Sequence, residues 1–153
     1  MPPKTRTTRA RRVRRSKTAR KVSPGASRRR VAHVVRALLD MTTAVRLYHW
    51  NTRSFAQHKA TDELYAKLDA NVDRFVEVLL GKGREPVELA NARGRSVDAK
   101  GARAFAAKIH EYRAFLIDMD AYFGGPGDSD LLSIRDDILG DVNQFLYLMT
   151  FDK

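Results

Sequence analysis

The chain has 153 residues, 29 Lys and Arg against 18 Asp and Glu, and a formal net charge of +11. That length accommodates one folded domain with a sizeable core and leaves little room for a second. The absence of cysteine excludes disulfides, thiolate metal sites and cysteine nucleophiles, and the apolar runs, only a few residues each, are too short to span a membrane.

The charge is unevenly spread. Residues 1–30 carry 13 of the 29 basic side chains and no acid, so the remaining 123 residues hold 16 basic groups against all 18 acids, a net −2. The basic side chains of the first 27 residues are Lys4, Arg6, Arg9, Arg11, Arg12, Arg14, Arg15, Lys17, Arg20 and Lys21. Val13 and Val22 are the only aliphatic residues there beyond alanine and the initiating methionine. Such a segment cannot bury enough surface to offset the entropy of ordering, so residues 1–27 read as a disordered tail, with Pro24-Gly25 as its joint to a body over 28–153. Dense arginine is the electrostatic signature of a polyanion binder. No aromatic is interleaved, so the expected contacts are to the phosphates of double-stranded DNA, without sequence preference. A nuclear-localisation signal, a transit peptide and an anionic membrane surface compete as readings of the same composition. The tail lacks the periodic apolar face of a transit peptide, and no amphipathic stripe or lipidation motif supports a membrane.

From Arg28 onward the pattern is helical. Val31, Val34, Val35, Leu38, Thr42, Val45 and His49 recur at steps of three and four, one stripe of an amphipathic helix. A second helix over roughly Phe55 to Leu80 has Leu64, Leu68, Val72, Phe75 and Leu79 on its stripe, with Gly81 as its expected stop. A third stripe runs Phe105, Ile109, Tyr112, Leu116, Met119, Phe123. A fourth, capped near Asp128-Ser129, runs Leu131, Ile134, Ile138, Val142, Phe145, Met149. No alternating strand pattern appears. Helices one and two, and three and four, are joined by short turns. The link from Gly81 to about Gly101 is long and includes Pro86-Val87-Glu88-Leu89-Ala90, a candidate short helix. The expected fold is all-α, a four-helix bundle with a long crossover between helices two and three, which is the ferritin-like arrangement.

The second helix carries a further pattern. With His58 set at 0°, Asp62, Asp69, Asp73 and Glu77 fall within about 100° of it, an acidic face beside the core stripe. Taken alone, that is the solvated face of any surface helix. Yet His58/Asp62 and Asp73/Glu77 are each one-turn pairs of ligand type, able to hold a cation. The two pairs lie about 16 Å apart along the axis, so one chain cannot close them on one metal. Two copies of the helix packed antiparallel across a two-fold would bring each His/Asp end to the partner's Asp/Glu end, with nitrogen and carboxylate ligands suited to iron. His49, at the end of the first helix and followed by Trp50, is a short turn away from His58. The Glu–x–x–His turns of the usual ferritin centre are absent from the sequence.

His49-Trp50-Asn51, then His58-x3-Asp62-Glu63-Leu64-Tyr65, then Asp73-x3-Glu77 closely resemble the Dps family of ferritin-like mini-ferritins, over roughly residues 30–153. The turn between the two histidines is shorter than is usual in that family, and the Gly- and Pro-containing stretch before helix four is unusual. The resemblance implies a hollow dodecamer built through two-fold dimers, with ferroxidase sites at the two-fold interfaces. There Fe(II) would be oxidised to Fe(III), mainly with hydrogen peroxide and otherwise with oxygen, and stored as mineral. It implies His49, His58 and Asp62 from one subunit and Asp73 and Glu77 from its mate as iron ligands, and Trp50 beside the centre as a radical quencher. Asp130, Asp137 and Asp141, which share a stripe on helix four, would line a pore that draws Fe(II) inward. The basic tail would hold DNA, for a cytoplasmic, nucleoid-associated protein. A virion or a nucleus suits the arginine-rich tail equally. The competing function is a non-catalytic DNA-condensing or packaging protein on a ferritin-like shell.

Overall fold

The computed structural model describes residues 24–83 and 101–151, with side chains from Arg28 onward. The ten basic positions from Lys4 to Lys21, and the expected short helix around Pro86–Ala90, lie outside the described residues. Four long helices make up the body: α1 Pro24–Asn51, α2 Phe55–Gly81, α3 Ala102–Asp118 and α4 Ser129–Leu148. Short 3-10 turns follow α3 at Met119–Ala121 and α4 at Met149–Phe151. Among the described residues there is no strand.

The apolar members of each expected stripe are buried except Met149, which is half-buried like Thr42 and His49, and Met41, Ala44 and Tyr48 join the buried face of α1. Val34, Leu38 and Val45 of α1, Leu68, Phe75 and Leu79 of α2, Phe105, Ile109 and Leu116 of α3 and Leu131, Ile138 and Val142 of α4 meet in one core. The rings interlock edge to face, Phe75 against Phe123 at 5.6 Å and Phe105 against Phe145 at 5.9 Å, an arrangement that adds to the area they bury.

The boundaries differ from expectation in three places. α1 begins at Pro24, four residues before the expected body, so Pro24 and Gly25 belong to its first turn and are not a joint. Proline suits that position, because its missing N–H would have no intrahelical partner there. The stop after α2 is made by Gly83 and not by Gly81, which is the last helical residue. Gly83 takes φ +71, where a side chain would be strained, and donates its N–H to the Leu80 carbonyl at 3.0 Å. The third stripe extends to Phe123 as expected, but the α-helix ends at Asp118 and a 3-10 turn carries Met119 into the core.

Cross-helix contacts fix the directions. Along α2, Lys67, Arg74 and Lys82 meet Asp141, Asp137 and Asp130 of α4 in reverse order, so α2 and α4 are antiparallel. Arg46 lies over Tyr65 at 4.1 Å and His49 stacks on His58, which makes α1 and α2 antiparallel. His33 meets Phe115, and Tyr48 stacks on Phe105 at 3.9 Å, so α1 and α3 are antiparallel too. It follows that α2 and α3 run in the same direction. Around the bundle the order is α1, α2, α4, α3.

Candidate metal centre at the α1–α2 turn

The turn between α1 and α2 is built on a buried amide. Ser54 caps α2, its hydroxyl accepting from the Gln57 N–H at 3.3 Å. Gln57 then points inward, where its side-chain carbonyl accepts hydrogen bonds from the Tyr48 hydroxyl and, at 3.0 Å, from Thr52. Tyr48 is itself held by its stacking on Phe105. One turn on, the buried Thr61 hydroxyl reaches the Gln57 carbonyl at 2.7 Å and the His58 carbonyl at 3.0 Å. Gln57 and Thr61 continue the stripe of Leu64 and Leu68 backwards as polar residues at core positions. That break in the stripe was the available signal for a bonded turn, and the sequence reading passed over it.

This turn brings His49 and His58 together. Their rings stack at 3.9 Å with 23° between the planes. The Nδ1 of His49 lies 3.2 Å from the His58 carbonyl, and the Nδ1 of His58 lies 3.1 Å from the His49 carbonyl. A carbonyl oxygen only accepts, so each Nδ1 must carry the proton. In the neutral rings the lone pair is then on Nε2, the nitrogen left for a ligand. Thr61 Oγ1, 3.3 Å from His49 Nδ1, accepts a share of that hydrogen bond. An Nδ1–H held by a backbone carbonyl is the support that fixes the tautomer and orientation of metal-binding histidines.

The other expected ligands are on the same helix but apart. His58, Asp62, Asp73 and Glu77 are all exposed, with Asp62 one turn from His58 and Asp73/Glu77 beyond it along the axis. No group of three or more His, Asp or Glu suited to a metal occurs among the described residues of one chain. Trp50, next to His49 in the chain, is 66% exposed, and Phe55, three residues before His58, is 79% exposed.

The three acids expected to line a pore are all engaged by α2 or by Lys82, which follows it. Asp141 accepts from Lys67 at 2.9 Å and from Asn71 at 3.4 Å, and Asp137 lies 3.6 Å from Arg74. Asp130 lies 2.7 Å from Lys82, whose ammonium holds its carboxyl below the usual carboxylate range. Within the chain this stripe is therefore the outer part of the α2–α4 seam.

Another buried polar group was not foreseen from the sequence. Arg135 of α4 is 7% exposed. It donates to the Leu116 carbonyl at 2.6 Å and the Ile117 carbonyl at 3.4 Å, and pairs with Asp120 and Asp136 at 2.7 Å each. It thereby caps the end of α3, adding a charged donor to the Leu116 carbonyl, which also accepts from the Met119 N–H.

A model of a family described only as being of unknown function matches residues 49–149. No curated protein and no solved structure matches the chain.

Proposed function

The chain belongs to DUF5856, a family of unknown function, and on its own residues we propose that it is a Dps-like mini-ferritin that oxidises Fe(II) at sites shared between two copies and holds DNA through its N-terminal tail. The observation that carries the iron reading is the His49/His58 pair, with both Nδ1–H groups committed to backbone carbonyls and both Nε2 atoms left for ligands. Asp62, one turn from His58, supplies an oxygen. Asp73 and Glu77 of a second copy complete the site when the α2 helices pack antiparallel. Histidine nitrogen with carboxylate oxygen is a donor set that suits iron.

The parallel course of α2 and α3 supports the ferritin-like reading, in which a long crossover joins helices two and three. Iron is the substrate and cargo. Two Fe(II) each give one electron to a hydrogen peroxide, its O–O bond breaks, and two protons are taken up as two waters form. Trp50, beside the pair and open to solvent, would intercept radicals that escape. The tail, with 10 basic side chains and no acid before residue 28, would meet phosphates at the opposite end of α1 from the histidines. Twelve such tails on a dodecamer would gain avidity from weak single contacts.

Peroxide-driven Fe(II) oxidation by the wild type and by an Asp73→Ala/Glu77→Ala variant tests the first half. A loss of most of the rate in the variant is expected, and equal rates would exclude the shared site. Deletion of residues 1–23 tests the second half. It should abolish DNA binding while leaving the helical body intact. Wild-type binding should weaken by on the order of 10³ or more between 50 and 200 mM salt.

A further inference from the structure

On the outer face of α2, three pairs of exposed side chains share one centre, midway between residues 67 and 68. The ligand-type pairs His58/Glu77 and Asp62/Asp73 are both centred there. So is a third pair with no ligand chemistry, Phe55 and Leu80. Phe55 is 79% exposed and Leu80 38% exposed. At about 100° per residue, Phe55 and Leu80 fall on the same stripe as Asp62 and Asp73. Near the centre of the stripe stand Ala66, Asp69 and Ala70, all exposed, small enough on the alanine side for two helices to approach closely.

We infer that Phe55 and Leu80 form an apolar clasp with a second copy of the chain, Phe55 of one protomer against the partner's Leu80 at each end of the paired α2 helices, and that this clasp sets the register in which the shared site is assembled. The inference rests on the two-copy reading above and adds to it the residues that choose the register. An antiparallel pair can slide, and sliding by one turn would bring His58 opposite the wrong carboxylates. A large aromatic and a leucine left in water on the ligand stripe, at matching distances from its centre, oppose that slide, because each turn of displacement returns both side chains to solvent. Trp50, 66% exposed at the end of the adjoining α1, is a further apolar side chain five residues before Phe55. The same arrangement limits the crossing angle. Phe55 and Leu80 are about 37 Å apart along the axis, so both ends touch only when the helices cross at the shallow angle of about 20°, and not at about 50°.

The occupant is a second copy and not an unrelated apolar partner because the pattern is self-complementary. Histidine faces glutamate and phenylalanine faces leucine under one two-fold operation, as an isologous interface requires.

A charge-swap cycle on the full-length chain tests the clasp, read by sedimentation at moderate salt with a chelator present, so that no iron chemistry enters the result. Circular dichroism confirms that each variant retains its helices. Phe55→Glu alone and Leu80→Lys alone should each weaken dimerisation by about tenfold or more, and the double variant should recover most of that loss, because the register then sets opposite charges against each other at both ends. Singles without effect, a double variant no better than the worse single, or a wild-type chain that stays monomeric would each overturn the inference. Failure of the iron reading looks different: a dimer that obeys the cycle and oxidises no Fe(II) retains the clasp and loses the ferroxidase.

Discussion

The two exposed faces of α2 use charge in opposite ways. Toward α4, every basic side chain is answered: Lys67 by Asp141, Arg74 by Asp137, Lys82 by Asp130. On the outer face, Asp62, Asp73 and Glu77 are exposed and meet no cation among the described residues. Both faces have the composition of an ordinary solvated helix surface. The neighbour decides between them, because the acids of α4 are paired by folding whereas those of outer α2 stay exposed.

Several substitutions would sharpen or break that contrast. The largest effect is expected at Arg135, where the charge is buried. Arg135→Met should cost about 2 kcal/mol, because it removes a charged donor from the Leu116 carbonyl, which keeps only the Met119 N–H, and the partner of Asp120 and Asp136. Denaturant unfolding reads this as a lower midpoint at an unchanged slope. Gln57→Ala should cost about 1–2 kcal/mol through loss of the hydrogen bonds that Gln57 accepts from Tyr48 and Thr52. It should also weaken metal binding at His49 and His58, since Gln57 holds the turn that stacks them. A titration with Zn(II) checks the second effect independently of stability. Lys67→Met should cost less than about 1 kcal/mol, and that cost should shrink as salt is added, because the Lys67–Asp141 pair is partly open to water. On the outer face, Asp62→Asn should leave stability unchanged within about 0.5 kcal/mol while impairing iron oxidation. A large destabilisation at Asp62 would erase the distinction between the two faces.

Alkaline pH adds a core test. Burial, with Asp40 and Glu111 nearby, pushes the Tyr112 phenol above its ordinary range. In the unfolded chain the phenol ionises near pH 10, while in the folded chain it keeps its proton. Its contribution is therefore complete below pH 10 and should be lost as the pH rises further. Tyr112→Phe, which removes a buried hydroxyl that has no hydrogen-bond partner among the described residues, should flatten that decline.

The sequence made the helices legible because burial of one face imposes a 3.6-residue period, and Leu64, Leu68, Val72, Phe75 and Leu79 obey it without interruption. Helix ends were harder. A glycine two residues beyond Gly81 takes the left-handed position, and nothing in the spacing distinguishes Gly81 from Gly83. The fate of Asp130, Asp137 and Asp141 depended on which helix lies beside α4, a fact of tertiary structure that periodicity does not contain. The proximity of His49 and His58 was readable from the short turn. The reciprocal Nδ1 contacts that set their tautomers were not, because they depend on the backbone path around Ser54 and Gln57.

The central claim is that the metal centre is divided between two chains, and mixing two disabled proteins tests it most directly. One carries His58→Ala/Asp62→Asn and the other Asp73→Asn/Glu77→Gln, and each alone should be inactive in Fe(II) oxidation. In a mixed dimer, one of the two sites combines only unaltered residues. After random exchange of subunits, activity should therefore return to about a quarter of the wild-type value. A mixture that exchanges subunits and stays as inactive as its components would contradict the shared site.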